Sequence, residues 1–248
     1  MDLPGSPHAA YSRSTMKGYG AFCPVALACE TFAERWTPLI LRELLAGSRR
    51  FNEIRQGIPL ISRTLLGQRL RELEDAGVVR SVPLPRGRGR EYRPTQAAEE
   101  FRDVIDRLGA WGQRWAAAQF DLENIDLMML MWNMRRRIDL PRLPARRVVV
   151  RFDFRGYPER CRGFRTCWLI LERRGCDVCL KDPGFEVDLV IHADAVAMAR
   201  VWMGALTFAQ AVQAGGIRID GARDLARAFP TWLLLSHYAH VDRRARAG

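Results

Sequence analysis

The stretch ISRTLLGQRLRELEDAGVV, residues 61–79, constrains this chain more than any other. Ser62 is a natural N-cap, Leu66, Leu70 and Leu73 recur at helical spacing, Gly77 stands where a left-handed C-cap belongs, and a β-branched strand follows. At about 100° per residue Leu70 and Leu73 fall within about 40° of Leu66, so one face is core, while Thr64, Gln68 and Arg71 lie opposite. A polar, donor-rich outer face suits a helix lying in a DNA major groove, because Gln and Arg can make paired hydrogen bonds to purine edges. An ordinary amphipathic surface helix has the same pattern, so the neighbours decide.

Upstream, CPVALACETFAERW has Pro24 in a first-turn position with Ala, Leu and Phe on one face, and TPLILRELLAG has Thr37 as cap, Pro38 at N1 and Gly47 as stop. RRFNEIRQGI, 49–58, gives one or two helical turns before Pro59. Downstream, VVRSV and REYR are strand-like with PLPRGRG as a Pro/Gly tip, which predicts a hairpin and, with the helices, a winged helix-turn-helix. At the tip Arg86, Arg88 and Arg90 alternate with glycines, so in an extended conformation their guanidinium groups project from one side and can enter a narrow minor groove; a solvated basic loop is the competing reading. Ser62, Arg63 and Arg69 complete the candidate DNA-contacting set on the helix, and Arg49 and Arg50 are expected to clamp phosphates. The following stretch carries Phe101, Ile105, Leu108, Trp111 and Trp115 at three- and four-residue spacing, an apolar stripe that needs a partner. One recognition helix touches few base pairs, so a homodimer on two half-sites is expected, with this stripe as its seam.

Cys23-Pro24, Trp36 before an LILREL helix, Gly47 with Arg50, Phe51, Asn52 and Glu53, the segment ISRTLLGQRLRELEDAG, and Glu91-Tyr92 followed by Thr95 occur in that order. On these residues, 20 to about 118 resemble the HxlR family of winged helix-turn-helix transcriptional regulators. The chain departs from the family pattern at Pro94, Ala98, Gly67 and Glu34, where Leu, Gly, Thr and a Gly-rich turn are usual. The resemblance implies a DNA-binding regulator, and several such regulators use a Cys at the place of Cys23 as a redox or electrophile sensor. Cys23 precedes a helix whose dipole favours the thiolate; a buried small residue is the equal alternative.

Residues 119–146 read as a Met-rich helix followed by a Pro/Arg linker. Beyond it RVVVRFDFRG, FRTCWLILERRG, CDVCLKDPG and EVDLVIHA read as strands, ADAVAMARVWMG and TFAQAVQAG as helices, GIRIDG as a strand and ARDLARAFPTWLLLSHYAHV as a closing helix. This order, with Trp202, Gly204, Ala211, Gly215 and Ile217 to Gly221, resembles a sterol-carrier-like domain, which implies a fold around an apolar ligand tunnel. Trp168, Ile170, Met198, Trp202, Met203 and Phe208 are the candidate ligand-lining residues, Met being an adaptable filler of apolar sites; closure of a solid core is the competing account. The fold class is α+β: an N-terminal arm over 1–20, the winged helix-turn-helix over 21–118, a helical linker over 119–146 and a sterol-carrier-like α/β domain over 147–242.

A composition that is 48% hydrophobic supports real cores. The net charge of +11, from 39 basic residues that are Arg except for Lys17 and Lys181, points to a polyanion partner. The start lacks an apolar signal region, and runs such as LMMLMW are too short to span a membrane, so a cytoplasmic protein without a membrane partner is expected, its cysteines as thiols. Cys161, Cys167, Cys176 and Cys179 have a zinc-like spacing, but Cys176 and Cys179 fall three apart in a predicted strand and point to opposite faces, where a metal knuckle needs a turn. No metal, cofactor or catalytic residue is expected, since the histidines lack a nucleophile motif or phosphate loop. The expected partners are double-stranded DNA, a second copy and an apolar small-molecule effector. The alternative of a different class is an apolar-ligand carrier or interaction module whose winged domain does not read DNA.

Overall fold

The computed structural model describes residues 22–84, 89–116, 125–156 and 164–242, in an N-terminal unit, Met1–Asp106, and a C-terminal unit, Arg107–Gly248. The expected arm over 1–20 lies outside the described residues. Prolines in the first turns of α1 (Pro24–Phe32) and α2 (Thr37–Leu45) start both helices with φ already set. In α3 (Phe51–Gly57) the Glu53 carboxylate caps the first turn, accepting from the amides of Arg49 and Arg50 at 2.8 and 3.0 Å. The Ser62 hydroxyl accepts from the Leu65 amide at 3.2 Å and opens α4 (Arg63–Asp75), and Gly77, at φ +69°, ends it. Leu66, Leu70 and Leu73 of α4 are at most 2% exposed and pack with Ile40, Leu41, Leu44 and Ile54, each burial stabilising by about 1.5–3 kcal/mol. That inner row holds α4 in place and leaves its outer row free.

A buried carboxylate sets how α3 meets α2. Glu43 receives Arg42 Nη2 at 2.9 Å and the Ser48 hydroxyl at 3.3 Å, and the same guanidinium donates to the Gly57 carbonyl at 2.9 Å. A Cβ at Gly57 would collide with that carboxylate, so only glycine permits the approach. The wing pairs β1 (Val79–Pro83) with β2 (Arg90–Pro94) in antiparallel register, Arg80 opposite Arg93. A bridge from Arg50 to Glu91, with the Tyr92 amide donating to the Arg49 carbonyl at 2.7 Å, fastens β2 to the start of α3. Short α5 (Gln96–Glu100) leads into α6 (Arg102–Trp111) and a π-helical turn at Gly112–Ala116. The boundary between the two compact units falls within α6.

In the C-terminal unit, α7 (Leu127–Arg136) is capped by Asp126, which accepts from the Met129 amide at 2.9 Å. The expected linker is a correction: Leu127, Leu130, Met131, Met134, Ile138 and Leu143 all belong to the core of this unit. Its sheet contains β3 (Val148–Arg155), β4 (Thr166–Glu172), β5 (Gly175–Cys179), β6 (Leu189–Asp194) and β7 (Ile217–Gly221) in the order β5-β4-β3-β6-β7, antiparallel except for the β3–β6 pair. Helices α8 (Ala195–Trp202), α9 (Phe208–Gln213) and α10 (Arg223–Trp232) contribute to the same core, with α9 and α10 against β7. The closing helix is shorter than its periodicity predicts. Pro230 lacks an amide to continue the ladder, and Leu233 turns extended to pair with Ile138, while the Asp139 amide donates to the Trp232 carbonyl at 2.8 Å. His237 and His240 therefore do not share a helix.

Candidate functional site

On α4 the outer residues Ser62, Arg63, Thr64, Gln68 and Arg71 are all exposed, on the side away from the buried leucines. Arg63 and Arg71 form no ion pair among the described residues, so their charge is available to a ligand, while Gln68 donates to Glu72 at 2.9 Å. Arg69 does not share that freedom. Its two terminal nitrogens donate to Glu72 and to Glu34 at 2.6 Å each, and the side chain is only 14% exposed. It ties α4 to the turn after α1 and does not present donors to a groove. Arg49 is likewise engaged, donating to the carbonyls of Leu44 and Ser48 at 2.6 and 3.0 Å, where it satisfies the C-terminal end of α2. Arg50, expected with Arg49 at a phosphate, is exposed.

Arg90 is exposed at the start of β2, opposite Pro83. Arg86 and Arg88 lie outside the described residues. Cys23 is exposed and is the N-cap residue of α1, the position its place before Pro24 implied. Burial pushes the Cys176 thiol up to about 11 and raises that of Cys167 further, so these two stay protonated at neutral pH. Among the described residues no group of three His, Cys, Asp or Glu side chains could hold a metal, and Cys161 lies outside them.

The apolar stripe divides in two. Phe101 packs against the N-terminal core with its ring stacked on Phe32 at 3.8 Å, and Ile105 is buried, whereas Leu108, Trp111 and Trp115 are 45–59% exposed. Val104, which the spacing argument passed over, is 47% exposed and stands four residues before Leu108, so the exposed row is Val104, Leu108, Trp111 and Trp115. Phe22, Val25 and Leu27 at α1 are also exposed apolar residues.

The six expected ligand-lining residues do not share a cavity. Met198 and Trp202 are buried in the core, Met203 packs against it, and Trp168 and Ile170 alternate with the buried Cys167, Leu169 and Leu171, which puts them on the other face of the sheet. Phe208 alone of the six lines the cleft at the β7 edge, a space of about 1110 Å³. Phe154, Ile217 and Ile219 join it as apolar lining, and Arg155, Arg218, Arg223 and Arg227 bring positive charge. Sequence reading missed these arginines, although Arg223 and Arg227 stand one helical turn apart and Arg218 alternates with the two isoleucines.

The HxlR-like helix-turn-helix family matches residues 31–120. An uncharacterised HTH-type transcriptional regulator of Bacillus subtilis, YvaP, is 34% identical over 94 residues, spanning 38% of this chain and 87% of its own length. The HTH-type transcriptional regulator YodB of the same organism is 33% identical over 95 residues, 38% of this chain and 85% of its own. Among solved structures, the reduced form of YodB from B. subtilis is similar at 33% identity, over 38% of this chain and 93% of that one, with a TM-score of 0.34.

Proposed function

This chain belongs to the family of HxlR-like helix-turn-helix transcriptional regulators and is a DNA-binding regulator; from that premise we propose that two copies bind a two-fold operator, each laying α4 in a major groove. One observation carries this: Thr64, Gln68 and Arg71 share an exposed row on a helix whose opposite row is fixed in the core. Arg71 and Gln68 are the base readers, matched to guanine and adenine edges, and Thr64 adds a hydroxyl contact. Ser62 and Arg63 meet phosphates at the N-terminus of α4 and Arg50 at that of α3, while Arg86, Arg88 and Arg90 supply charge from the wing. The exposed Leu108, Trp111 and Trp115 are the surface a second copy covers.

We further assign the C-terminal unit a sterol-carrier-like fold and an effector role in the cytoplasm. The strand order β5-β4-β3-β6-β7 and helices on the covered face support that reading, and the cleft beside β7 is where an effector would bind. Cys23 is the second regulatory input, because an exposed thiol at a helix N-terminus is open to oxidants. Footprinting with purified protein on the DNA upstream of its own gene tests the central claim. The expected result is protection of two half-sites with an affinity that falls steeply as salt rises. Absence of salt-sensitive protection would leave a carrier whose winged unit serves protein contacts.

A further inference from the structure

The cleft beside β7 holds more positive charge than an apolar effector requires. Its apolar lining is backed by a closed core: Phe208 meets the fully buried Phe229 edge-on at 6.1 Å. Four arginines stand around this recess, and Asp153 is the acidic residue that faces it. Asp153 is already occupied, accepting from Arg151 at 2.9 Å and from the Thr166 hydroxyl at 3.1 Å, with His192 at 3.7 Å. Of the arginines, Arg218 is paired with Asp220 at 2.8 Å and Arg155 donates to the Gly215 carbonyl at 2.7 Å. Arg223 and Arg227 remain. They are exposed, they have no ion pair among the described residues, and they lie at i and i+4 on α10, where like charges repel and destabilise a helix. Asp224, the nearest acidic neighbour in sequence, points about 100° away around the helix from Arg223.

We propose that this cleft binds an anionic amphiphile, an apolar body on the partly exposed Phe208 and Ile219, over a floor of the buried Phe154 and Ile217, with a carboxylate or phosphate head between Arg223 and Arg227. The inference rests on the effector reading of the cleft and names the chemical class that reading leaves open. Two guanidinium groups offer paired donors that match either oxyanion, and binding relieves the repulsion along α10. A neutral sterol would cover these charges without pairing them, and covering an unpaired charge is unfavourable. A duplex phosphate would meet the charge but has no apolar body to fill the recess.

The experiment titrates the full-length protein by calorimetry with decanoate, decyl phosphate and decanol, and repeats it with the Arg223→Ala/Arg227→Ala double variant. Both substituted residues are exposed, and R223K/R227K serves as the conservative control. Wild type is expected to bind at least one anion about tenfold or more tighter than the alcohol, the effect of a charge-assisted hydrogen bond. Whichever anion binds tighter identifies the head group. The alanine variant should lower the anion to the level of the alcohol, and the lysine variant should keep part of the preference. Equal binding of alcohol and anions to wild type, or an unchanged preference in the alanine variant, overturns the anionic head but keeps the cleft as an apolar effector site. No binding of any of the three overturns the effector reading as well. Loss of operator affinity in the ligand-free alanine variant would assign these arginines to DNA instead and also overturn the proposal.

Discussion

The two units place arginine in opposite settings. In the N-terminal unit, Arg42, Arg49 and Arg69 are drawn inward, onto a buried carboxylate, helix-end carbonyls and a pair of glutamates, and among the exposed arginines Arg63 and Arg71 lie on the polar row of α4. In the C-terminal unit, Arg223 and Arg227 stand at an apolar recess. The difference is in what surrounds the charge. A guanidinium among hydroxyls and amides on a rigid helix matches a duplex, whose base edges and phosphates are all polar. A guanidinium beside Phe208 and Ile217 matches a molecule with one charged end. Arg69 has a separate use: it ties α4 to the turn after α1, which in the proposed reading holds Arg63 and Arg71 in one geometry before DNA arrives.

The largest effect that could break this comparison is Phe152→Ala. Phe152 is fully buried in the C-terminal core against Phe154 and Phe229, and its truncation should cost about 3–5 kcal/mol in urea unfolding while DNA affinity stays as it was. An equal loss of DNA affinity would mean that the two regions do not act separately. Next in size is Trp111→Glu, a charge placed in the exposed row of α6, which should weaken self-association by about 2 kcal/mol or more in sedimentation equilibrium. A monomer–dimer equilibrium that does not change would remove this row from the proposed dimer seam. Within the N-terminal unit, Arg71→Ala should cost about 1–3 kcal/mol on the operator and relax preference at particular base pairs. Arg69→Ala should instead lower stability by about 1 kcal/mol, as its ion pairs with Glu34 and Glu72 are lost, with base preference intact. If the two variants behaved alike on DNA, the division between engaged and free arginines would fail. The smallest effect is one of rate: iodoacetamide at neutral pH should label Cys23 in the native protein and leave Cys167 untouched until unfolding, with Cys176 gaining reactivity only as pH climbs toward its raised value of about 11. Protection of Cys23 would end the sensor reading.

Helix α4 was readable because its signals are local: the Ser62 cap, the leucine period and Gly77 all lie within one short stretch and answer to the geometry of a single helix. The strands of the C-terminal sheet were readable for the same reason, through β-branched runs broken by turn residues. The status of Arg69 was not, because its partner Glu34 is 35 residues away and nothing local marks the pairing. The apolar stripe was misdivided because helical spacing gives a face and not a neighbour. Phe101 and Ile105 meet the N-terminal core, and Val104, one residue off the chosen register, joins the exposed row.

The amino-acid order by itself determined the elements, the wing, the position of Cys23 before a helix and the row of residues that α4 turns outward, since caps, periods and proline act over a few residues. Tertiary structure decided which charges remain free and which apolar residues remain open. It placed α7 in the core where a linker was expected, ended α10 at Trp232 by pairing Leu233 with Ile138, and buried Met198 and Trp202 while leaving a cleft open at the edge of β7. The physical reason is that burial and pairing are properties of contacts between distant segments. A side chain's type says what it can do, and only its neighbours in space say whether it is already doing it.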